Sequence, residues 1–127
     1  MAYPLILLAA LNGLLVVIIG AFMAHALKPI MAAELINTFE TGVLYHMLHT
    51  IALFGISILS LHFPGERLLK LSAYSFFLGI IFFSGSLYFL ALTEISRIGI
   101  ITPIGGLFFL IGWGMLCLFG SKSNSQI

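Results

Sequence analysis

The sequence predicts an all-α protein, a bundle of four transmembrane helices, and three observations support that fold class. Hydrophobic residues make up 61% of the 127 residues, and charged residues make up only 7%. The mean hydropathy is +1.22, whereas a soluble domain carries about a quarter charged residues. Four segments are also long enough to cross a bilayer, because a spanning helix needs roughly 20 mostly apolar residues.

The four predicted spans follow one another with short connections. They are Leu5–Leu27, Val43–Leu61, Leu71–Leu92 and Ile98–Phe119. Residues 1–120 therefore form one predicted membrane domain, and residues 121–127 form a polar C-terminal tail. A cleaved signal peptide is the alternative for the first span, because Ala24-His25-Ala26 resembles a cleavage site. The lack of Lys or Arg before the apolar run favours a retained helix.

Turn and cap residues separate the spans. Pro29 ends the first helix, and Pro64-Gly65 predicts a turn between the second and third. Asn37, with Glu40 three residues later, predicts an N-cap that opens the second helix. Thr102-Pro103 predicts a start or a kink in the fourth helix, because proline suits the first helical turn.

The few charges indicate an orientation and exclude one class of partner. Four crossings place both termini on one membrane side, with Arg67, Lys70 and Lys122, and leave Lys28 and Arg97 on the other. This excess predicts that both termini lie in the cytoplasm. Five basic residues are too few to bind a nucleic-acid backbone. The expected partner is the lipid bilayer, and a homo-oligomer or a larger membrane complex is compatible with the sequence.

Polar residues gather on one membrane side, where the first and third helices end and the second and fourth begin. Because polar side chains in a span avoid lipid, this side is the predicted location of a site. The candidate ligand-binding residues are His25, Glu40, Tyr45, His46, His49, Ser84, Tyr88 and Thr102.

The histidines of the second helix have three competing interpretations. His46 and His49 lie about 60° apart on one helix face, which is predicted to point into the bundle. They are structural imidazoles that fix helix packing, or metal or haem ligands together with His25, or part of a proton-coupled site or a site for a polar-headed small ligand, such as a quinone or a lipid headgroup. Glu40 falls on the far side of that helix, so it is not an automatic partner of either histidine.

Two further polar or aromatic residues are expected to serve packing. Asn12, near the middle of the first span, is expected to form an interhelical hydrogen bond. Trp113 lies inside the fourth span and is expected in the packed core. The single cysteine, Cys117, is expected to be buried, and it excludes an internal disulfide.

No motif identifies an enzyme or names a cofactor. The spans hold no carboxylate pair, no phosphate-binding loop and no serine nucleophile elbow. The leading hypothesis is a protein that binds a small ligand or a membrane partner through the polar cluster. The alternatives are a small oligomeric transporter and a metal- or haem-binding redox accessory protein.

Four signatures resemble one known family of small membrane proteins, which is catalogued as domain of unknown function 423. The resemblance runs from about Asn12 to Trp113, and the signatures occur in the family's order. They are Gly20-Ala21-Phe22-Met23-Ala24-His25-Ala26-Leu27, Phe39-Glu40-Thr41-Gly42-Val43-Leu44-Tyr45-His46-Met47-Leu48-His49, Phe83-Ser84-Gly85-Ser86-Leu87-Tyr88, and Thr102-Pro103-Ile104-Gly105-Gly106 followed by Gly112-Trp113.

The resemblance implies a bacterial inner-membrane protein with four helices and no established activity. The chain departs from the family pattern at two positions. Met23 and Glu94 both stand where the family commonly has glycine. The first departure is expected to crowd a helix contact, and the second adds a charge at the end of the third helix.

Overall fold

The structure, a computed structural model, describes residues 2–124, which are helices joined by short turns and include no strand. A π-helical turn, Met23–Leu27, extends the first helix, and a second one, Ile80–Ser84, interrupts the third span. A 3-10 turn, Ser96–Ile100, precedes α5. The helices are α1 (Ala2–Phe22), α2 (Ala33–His62), α3 (Arg67–Gly79), α4 (Gly85–Thr93) and α5 (Thr102–Asn124).

Four helical segments are long and apolar enough to cross a membrane, which confirms the predicted four-helix membrane bundle. Three of them contain a π-helical or 3-10 turn and are therefore composites of elements, whereas the second is the uninterrupted helix α2. The segments are Ala2–Leu27, Ala33–His62, Arg67–Thr93 and Ser96–Lys122.

The second helix begins earlier than the sequence predicts. Its N-cap is Ala32, whose backbone is extended, and the Asn37 cap was wrong. Thr38 lies inside α2 and donates its hydroxyl hydrogen bond to the Glu34 carbonyl one turn back, 3.0 Å away. Such back-bonding lets a hydroxyl residue sit within a helix instead of opening it. At 30 residues α2 is about 45 Å long, so it exceeds the roughly 30 Å hydrocarbon core.

Two residues with positive φ mark the ends of helices. Gly65 has φ +82° and completes the predicted turn after Pro64. Glu66 then caps α3, because its side chain accepts a hydrogen bond from the Leu68 amide. Glu94 has φ +58° at the C-terminal cap of α4, in the left-handed region where glycine fits without a Cβ penalty. This conformation explains why glycine suits that position.

Helix α2 connects the two most closely packed parts of the bundle. The most extensive packing joins α1 to α2, and α3 to α5. α2 also packs against α3, α4 and the π-helical turn between them, and α5 packs against that same turn. α2 and α5 therefore come close mainly through long side chains.

Glycines on α3 and α5 make room for phenylalanine rings of the opposite helix. A Cβ on Gly79 would overlap the Phe109 ring, and one on Gly112 would overlap the Phe76 ring. The Ser72 hydroxyl donates to the Gly112 carbonyl, at 2.8 Å, across the same contact. Small residues commonly allow this approach between spanning helices. Gly79 and Gly112 therefore allow α3 and α5 to pack closely.

A polar layer separates two hydrophobic clusters in the bundle. One cluster lies towards the loop at Pro64, and the other lies at the end where α1 meets α2. The polar layer between them contains Asn12, His46 and His49, each less than a tenth exposed. The first cluster consists of Leu5, Ala9, Leu53, Ile56, Leu69, Ala73, Phe76, Ile80 and Phe109, and the second of Leu27, Ile36, Phe39 and Ala91.

The burial predicted for two residues of α5 was wrong. Trp113 is 42% exposed, and Cys117 is exposed. Both expectations failed because α5 is an outer helix with a broad face towards lipid, and hydropathy alone does not distinguish lipid contact from core.

The predicted C-terminal tail is partly helical. Residues 121–124 of that tail continue α5, and residues 125–127 lie outside the described part.

Candidate functional site

The predicted polar cluster divides into two regions, which lie on different sides of α2. Asn12 of α1, His46 of α2 and Tyr88 of α4 form a chain of hydrogen bonds that is buried at Asn12 and His46 and half-buried at Tyr88, named here the inner network. Tyr45 and His49 of α2 instead face α5 and line an open groove. Successive residues of a helix point about 100° apart, which explains why Tyr45 and His46 belong to different regions.

The direction of each hydrogen bond in the inner network follows from its chemistry. The Asn12 amide nitrogen donates to the Leu8 carbonyl at 2.9 Å, so its amide oxygen is left to accept. His46 Nε2 therefore donates to Asn12 Oδ1 at 3.2 Å. The Tyr88 hydroxyl donates to His46 Nδ1 at 3.0 Å. A neutral imidazole satisfies this chain, which links three helices.

A glycine gives Tyr88 access to His46. A Cβ on Gly42 would lie 2.8 Å from Tyr88 Cε1, which is too close for any side chain at that position. The Tyr88 ring also packs on Phe39, with ring centroids 4.8 Å apart. The Tyr88 ring, which lies against the backbone of α2 at Gly42, therefore explains why the second signature has glycine there.

The second region is a groove of about 530 Å³ between α2 and α5, named here the lateral groove. The Phe83 ring, at the π-helical turn, contacts both Tyr45 and Phe109, with centroid distances of 4.5 and 5.4 Å. Leu107 and Leu110 are largely exposed at its rim, on the side that faces lipid. The lateral groove is lined by Tyr45, Leu48, His49, Phe83, Pro103, Gly106, Leu107, Phe109, Leu110 and Trp113.

His49 forms the floor of the lateral groove and is fully hydrogen-bonded. Its Nδ1 donates to the Tyr45 carbonyl at 2.7 Å, and its Nε2 accepts from Trp113 Nε1 at 3.1 Å. Its ring stacks on Phe109 with a centroid distance of 3.5 Å and an interplanar angle of 7°. The edge of Phe76 contacts the same imidazole, at 5.1 Å. His49 thus holds α2 and α5 at the spacing that keeps the groove open.

The Tyr45 hydroxyl is the one side-chain polar group of the groove that stays available. It has no hydrogen-bond partner among residues 2–124, although the Tyr45 carbonyl is bonded to His49. The residue is 38% exposed, and its ring is held against Phe83 and Phe109. A fixed ring with a free hydroxyl can donate a hydrogen bond to a molecule in the groove.

The remaining predicted site residues lie outside both regions. His25 is exposed in the π-helical turn after α1. Glu40 forms an ion pair with Lys28, with Nζ and Oε1 3.4 Å apart, at the end of the bundle where α1 ends and α2 begins. The Thr102 hydroxyl lies 2.6 Å from that of Ser86 and ties α5 to α4.

Ser84 differs from the other buried serines. Its hydroxyl is fully buried and has no hydrogen-bond partner within the described part of the chain. Ser57, Ser60 and Ser86 each donate to a carbonyl of their own helix. Ser84 is the last residue of the π-helical turn, where the helical register is altered.

The structure does not bring the three histidines named as metal-ligand candidates together. No group of three His, Cys, Asp or Glu side chains within residues 2–124 is close enough to hold one ion. Both ring nitrogens of His46 and of His49 are engaged by protein groups. Either histidine would have to release a hydrogen bond before it could ligate a metal.

Sequence reasoning missed several residues that shape these regions. Asn12 was expected to bond between helices, which is confirmed, but it was not placed beside His46. Trp113 was assigned to the core and instead forms one wall of the lateral groove. The spacing of Trp113 from Phe109, one helical turn, was the available signal for a shared face.

Comparison with known proteins identifies the family. The chain is 41% identical to the UPF0382 membrane protein YwdK of Bacillus subtilis, over 92% of this chain and 95% of that protein. It is 43% identical to a UPF0382 membrane protein of Haemophilus influenzae, over 93% and 94% of the two chains. It is 36% identical to the UPF0382 inner membrane protein YgdD of Escherichia coli, over 88% and 85%.

The same comparison confirms the resemblance drawn from the four signatures. No solved structure matches the chain. The family profile described as protein of unknown function DUF423 matches residues 19–106, which include Tyr45, His46, His49 and Tyr88. The inner-membrane location expected from the sequence agrees with the name of the Escherichia coli relative. The chain is a multi-pass membrane protein of unknown activity, and it belongs to the DUF423 family.

Proposed function

We propose that this protein binds a small hydrophobic molecule, which enters the lateral groove from the bilayer. The single observation that carries the proposal is a groove of about 530 Å³ that opens between two spanning helices. Ligand sites commonly measure roughly 300–1,000 Å³ and combine apolar walls with a few placed polar groups. The groove has this composition, with aromatic walls and the Tyr45 hydroxyl.

The rim of the lateral groove supports entry from lipid. Leu107 is 58% exposed and Leu110 is 70% exposed, and both belong to the outward face of α5. None of the ten lining residues is Asp, Glu, Lys or Arg. Because an unpaired charge is expensive within a bilayer, a groove of this kind suits an uncharged molecule already dissolved in the membrane.

The inner network supports the groove rather than competing with it. Its polar groups are bonded to one another, and Asn12 ends the chain on the Leu8 carbonyl of its own helix. It fixes α1, α2 and α4 relative to one another. That arrangement leaves α5, held by Phe83 and His49, to define the opening.

Mass spectrometry of small molecules that copurify with the protein tests the proposal. The variant Gly106→Leu fills the groove, because Gly106 lines it and an added Cβ would meet only Phe83 Cδ2, at 3.9 Å. Gly114→Leu is the matched control on the same helix, since a Cβ there has no neighbour within 4 Å and the residue does not line the groove. Both proteins are purified in a mild detergent and extracted with organic solvent.

The expected result is a hydrophobic molecule that copurifies with the original protein and with Gly114→Leu but is depleted in Gly106→Leu. The two variants should fold equally well, as judged by thermal unfolding. Identical extracts from all three proteins, relative to bulk phospholipid, would contradict a binding role for the lateral groove.

A further inference from the structure

We infer that the molecule bound in the lateral groove is a neutral, flat ring that carries a carbonyl oxygen, as an isoprenoid quinone does. The inference rests on the proposed function and names the chemical class of its ligand. Three features of the groove support this class: its aromatic walls, its one available hydrogen-bond donor and its depth in the membrane.

The walls of the groove match the faces of a flat ring. Tyr45, Phe83 and Trp113 surround the opening, and Phe109 lies beneath them. The ring centroids of Tyr45 and Phe83 are 4.5 Å apart and the rings are tilted by 42°, so these two lining residues pack on each other at the groove. Aromatic groups prefer offset-stacked or edge-to-face neighbours, so a planar ring gains contacts here that a flexible acyl chain does not.

The hydrogen-bonding groups of the groove favour a ligand that carries a hydrogen-bond acceptor. Trp113 Nε1 donates to His49, and His49 Nδ1 donates to the Tyr45 carbonyl, so these donors are already engaged. The Tyr45 hydroxyl has no partner among residues 2–124. A hydroxyl within the hydrocarbon core has no water to bond and is best satisfied by an acceptor on the ligand. A ring carbonyl supplies that acceptor in the plane of the ring.

The depth of the inner end of the groove favours an uncharged ligand group. Tyr45 lies about 18 Å along α2, and Trp113 lies about 17 Å along α5. Both helices begin on the same membrane side, and the hydrogen bond from Trp113 to His49 places Trp113 beside a residue one turn further along α2 than Tyr45. The groove extends from Pro103, in the first turn of α5, to Trp113, so its deeper end lies near the middle of the hydrocarbon core, where phosphates and ammonium groups do not enter. A neutral quinone ring can reach this depth on its isoprenoid tail.

Trp113 provides a direct assay, because it is the chain's single tryptophan and lies in the groove wall. The protein is placed in phosphatidylcholine nanodiscs and titrated with a benzoquinone that carries a decyl tail, which quenches tryptophan fluorescence. The comparison ligand is a ring-brominated decylbenzene, which quenches by contact but has no carbonyl. Each titration is repeated on Tyr45→Phe, Gly106→Leu and Gly114→Leu.

The expected result is saturable quenching by the quinone in the original protein and in Gly114→Leu. Tyr45→Phe should raise the quinone dissociation constant about tenfold, because one hydrogen bond is lost. The brominated ring should bind more weakly than the quinone and should be unaffected by Tyr45→Phe. Gly106→Leu should abolish saturation by both ligands.

Two other outcomes separate the inference from the function on which it rests. Equal saturable binding of both ligands, unchanged in Tyr45→Phe, would overturn the carbonyl-ring class and leave the groove as a site for hydrophobic molecules. Quenching that rises linearly and is the same in Gly106→Leu would show collision from lipid only. That result would overturn the ligand class and the binding function together.

Discussion

The inner network and the lateral groove include neighbouring residues of α2 but differ in whether their polar groups are hydrogen-bonded within the protein. His46 is 1% exposed and has both ring nitrogens bonded to side chains from other helices. Tyr45 is 38% exposed, and its hydroxyl has no partner among residues 2–124. One region uses polarity to hold helices together, and the other presents polarity to the membrane.

This contrast shows how a membrane bundle can separate stability from binding. Hydrogen bonds between spanning helices average about 0.6 kcal/mol and reach about 1.7 kcal/mol. The inner network is where such bonds connect α1, α2 and α4. The groove instead depends on shape, set by aromatic rings and by the close approach of α5. Substitutions in the two regions should therefore have different effects.

The largest expected effect is a break in the contact that positions α5 beside the groove. In Gly105→Ala the new Cβ would overlap the backbone nitrogen of Phe83 and lie 2.6 Å from its Cα. Backbone atoms cannot move aside as a flexible side chain can, so we expect a loss of about 3 kcal/mol. The measurement is the free energy of unfolding from titration of mixed micelles with SDS.

The adjacent glycine is the control for that variant. A Cβ on Gly106 would lie 3.9 Å from Phe83 Cδ2, which is an ordinary contact. Gly106→Ala should therefore change the free energy of unfolding by less than about 0.5 kcal/mol. Equal destabilisation by the two alanine variants would show that α5 is not held by the close contact at Gly105.

The next largest effect is expected from opening the inner network at its centre. His46→Ala removes a buried ring and leaves both the Asn12 amide oxygen and the Tyr88 hydroxyl without a partner. A cavity combined with unsatisfied polar groups should destabilise the protein by about 2 kcal/mol. His62→Ala is the control, because His62 is exposed and bonds only to the Ile58 carbonyl of its own helix.

The measurement for this pair is again SDS-induced unfolding of each variant. His62→Ala should unfold within about 0.5 kcal/mol of the original protein. If His46→Ala proved as stable as His62→Ala, the inner network would not contribute to helix association. The distinction between the two regions would then be lost.

One substitution made at two tyrosines sharpens the comparison. Tyr88→Phe keeps the ring that packs on Phe39 but leaves His46 Nδ1 without its donor, so we expect a loss of about 1 kcal/mol. Tyr45→Phe removes a hydroxyl that bonds to no described residue, so stability should change by less than about 0.5 kcal/mol.

Both unfolding free energies are compared with quinone binding measured from Trp113 fluorescence. Tyr45→Phe should weaken binding without affecting stability, and Tyr88→Phe should do the reverse, since Tyr88 does not line the groove. A Tyr45→Phe variant that is as destabilised as Tyr88→Phe would place both tyrosines in a single structural network.

The sequence was sufficient for the fold class and for the inward direction of the two α2 histidines. Hydropathy and length define the four spans, and helical periodicity places His46 and His49 inside the bundle. Periodicity along one helix does not reveal which neighbouring helix a residue meets. The separation of Tyr45 from His46 therefore required the packing of α4 and α5 around α2.

The lateral groove was hidden from the sequence for a second physical reason. A spanning helix is apolar on its lipid face as well as on its core face. Hydropathy therefore does not show whether a residue such as Trp113 or Leu110 is buried in the bundle or exposed to lipid. The early start of α2 was missed because Asn37 resembles a cap, although Ala32 precedes the helix. That start also places Glu40 on a helix that extends beyond the hydrocarbon core.

The smallest expected effect lies at Glu40, which the sequence grouped with the candidate site and the structure places outside both regions. Its ion pair with Lys28 spans 3.4 Å between side chains that are 41% and 60% exposed. Exposed pairs of this kind contribute about 0–1 kcal/mol, because water and salt screen them. Glu40→Gln should therefore lower the free energy of unfolding by less than about 0.5 kcal/mol and leave quinone binding unchanged. Repeating the unfolding titration in high salt should remove even that difference, and a loss of binding in Glu40→Gln would extend the binding region to the membrane end of α2.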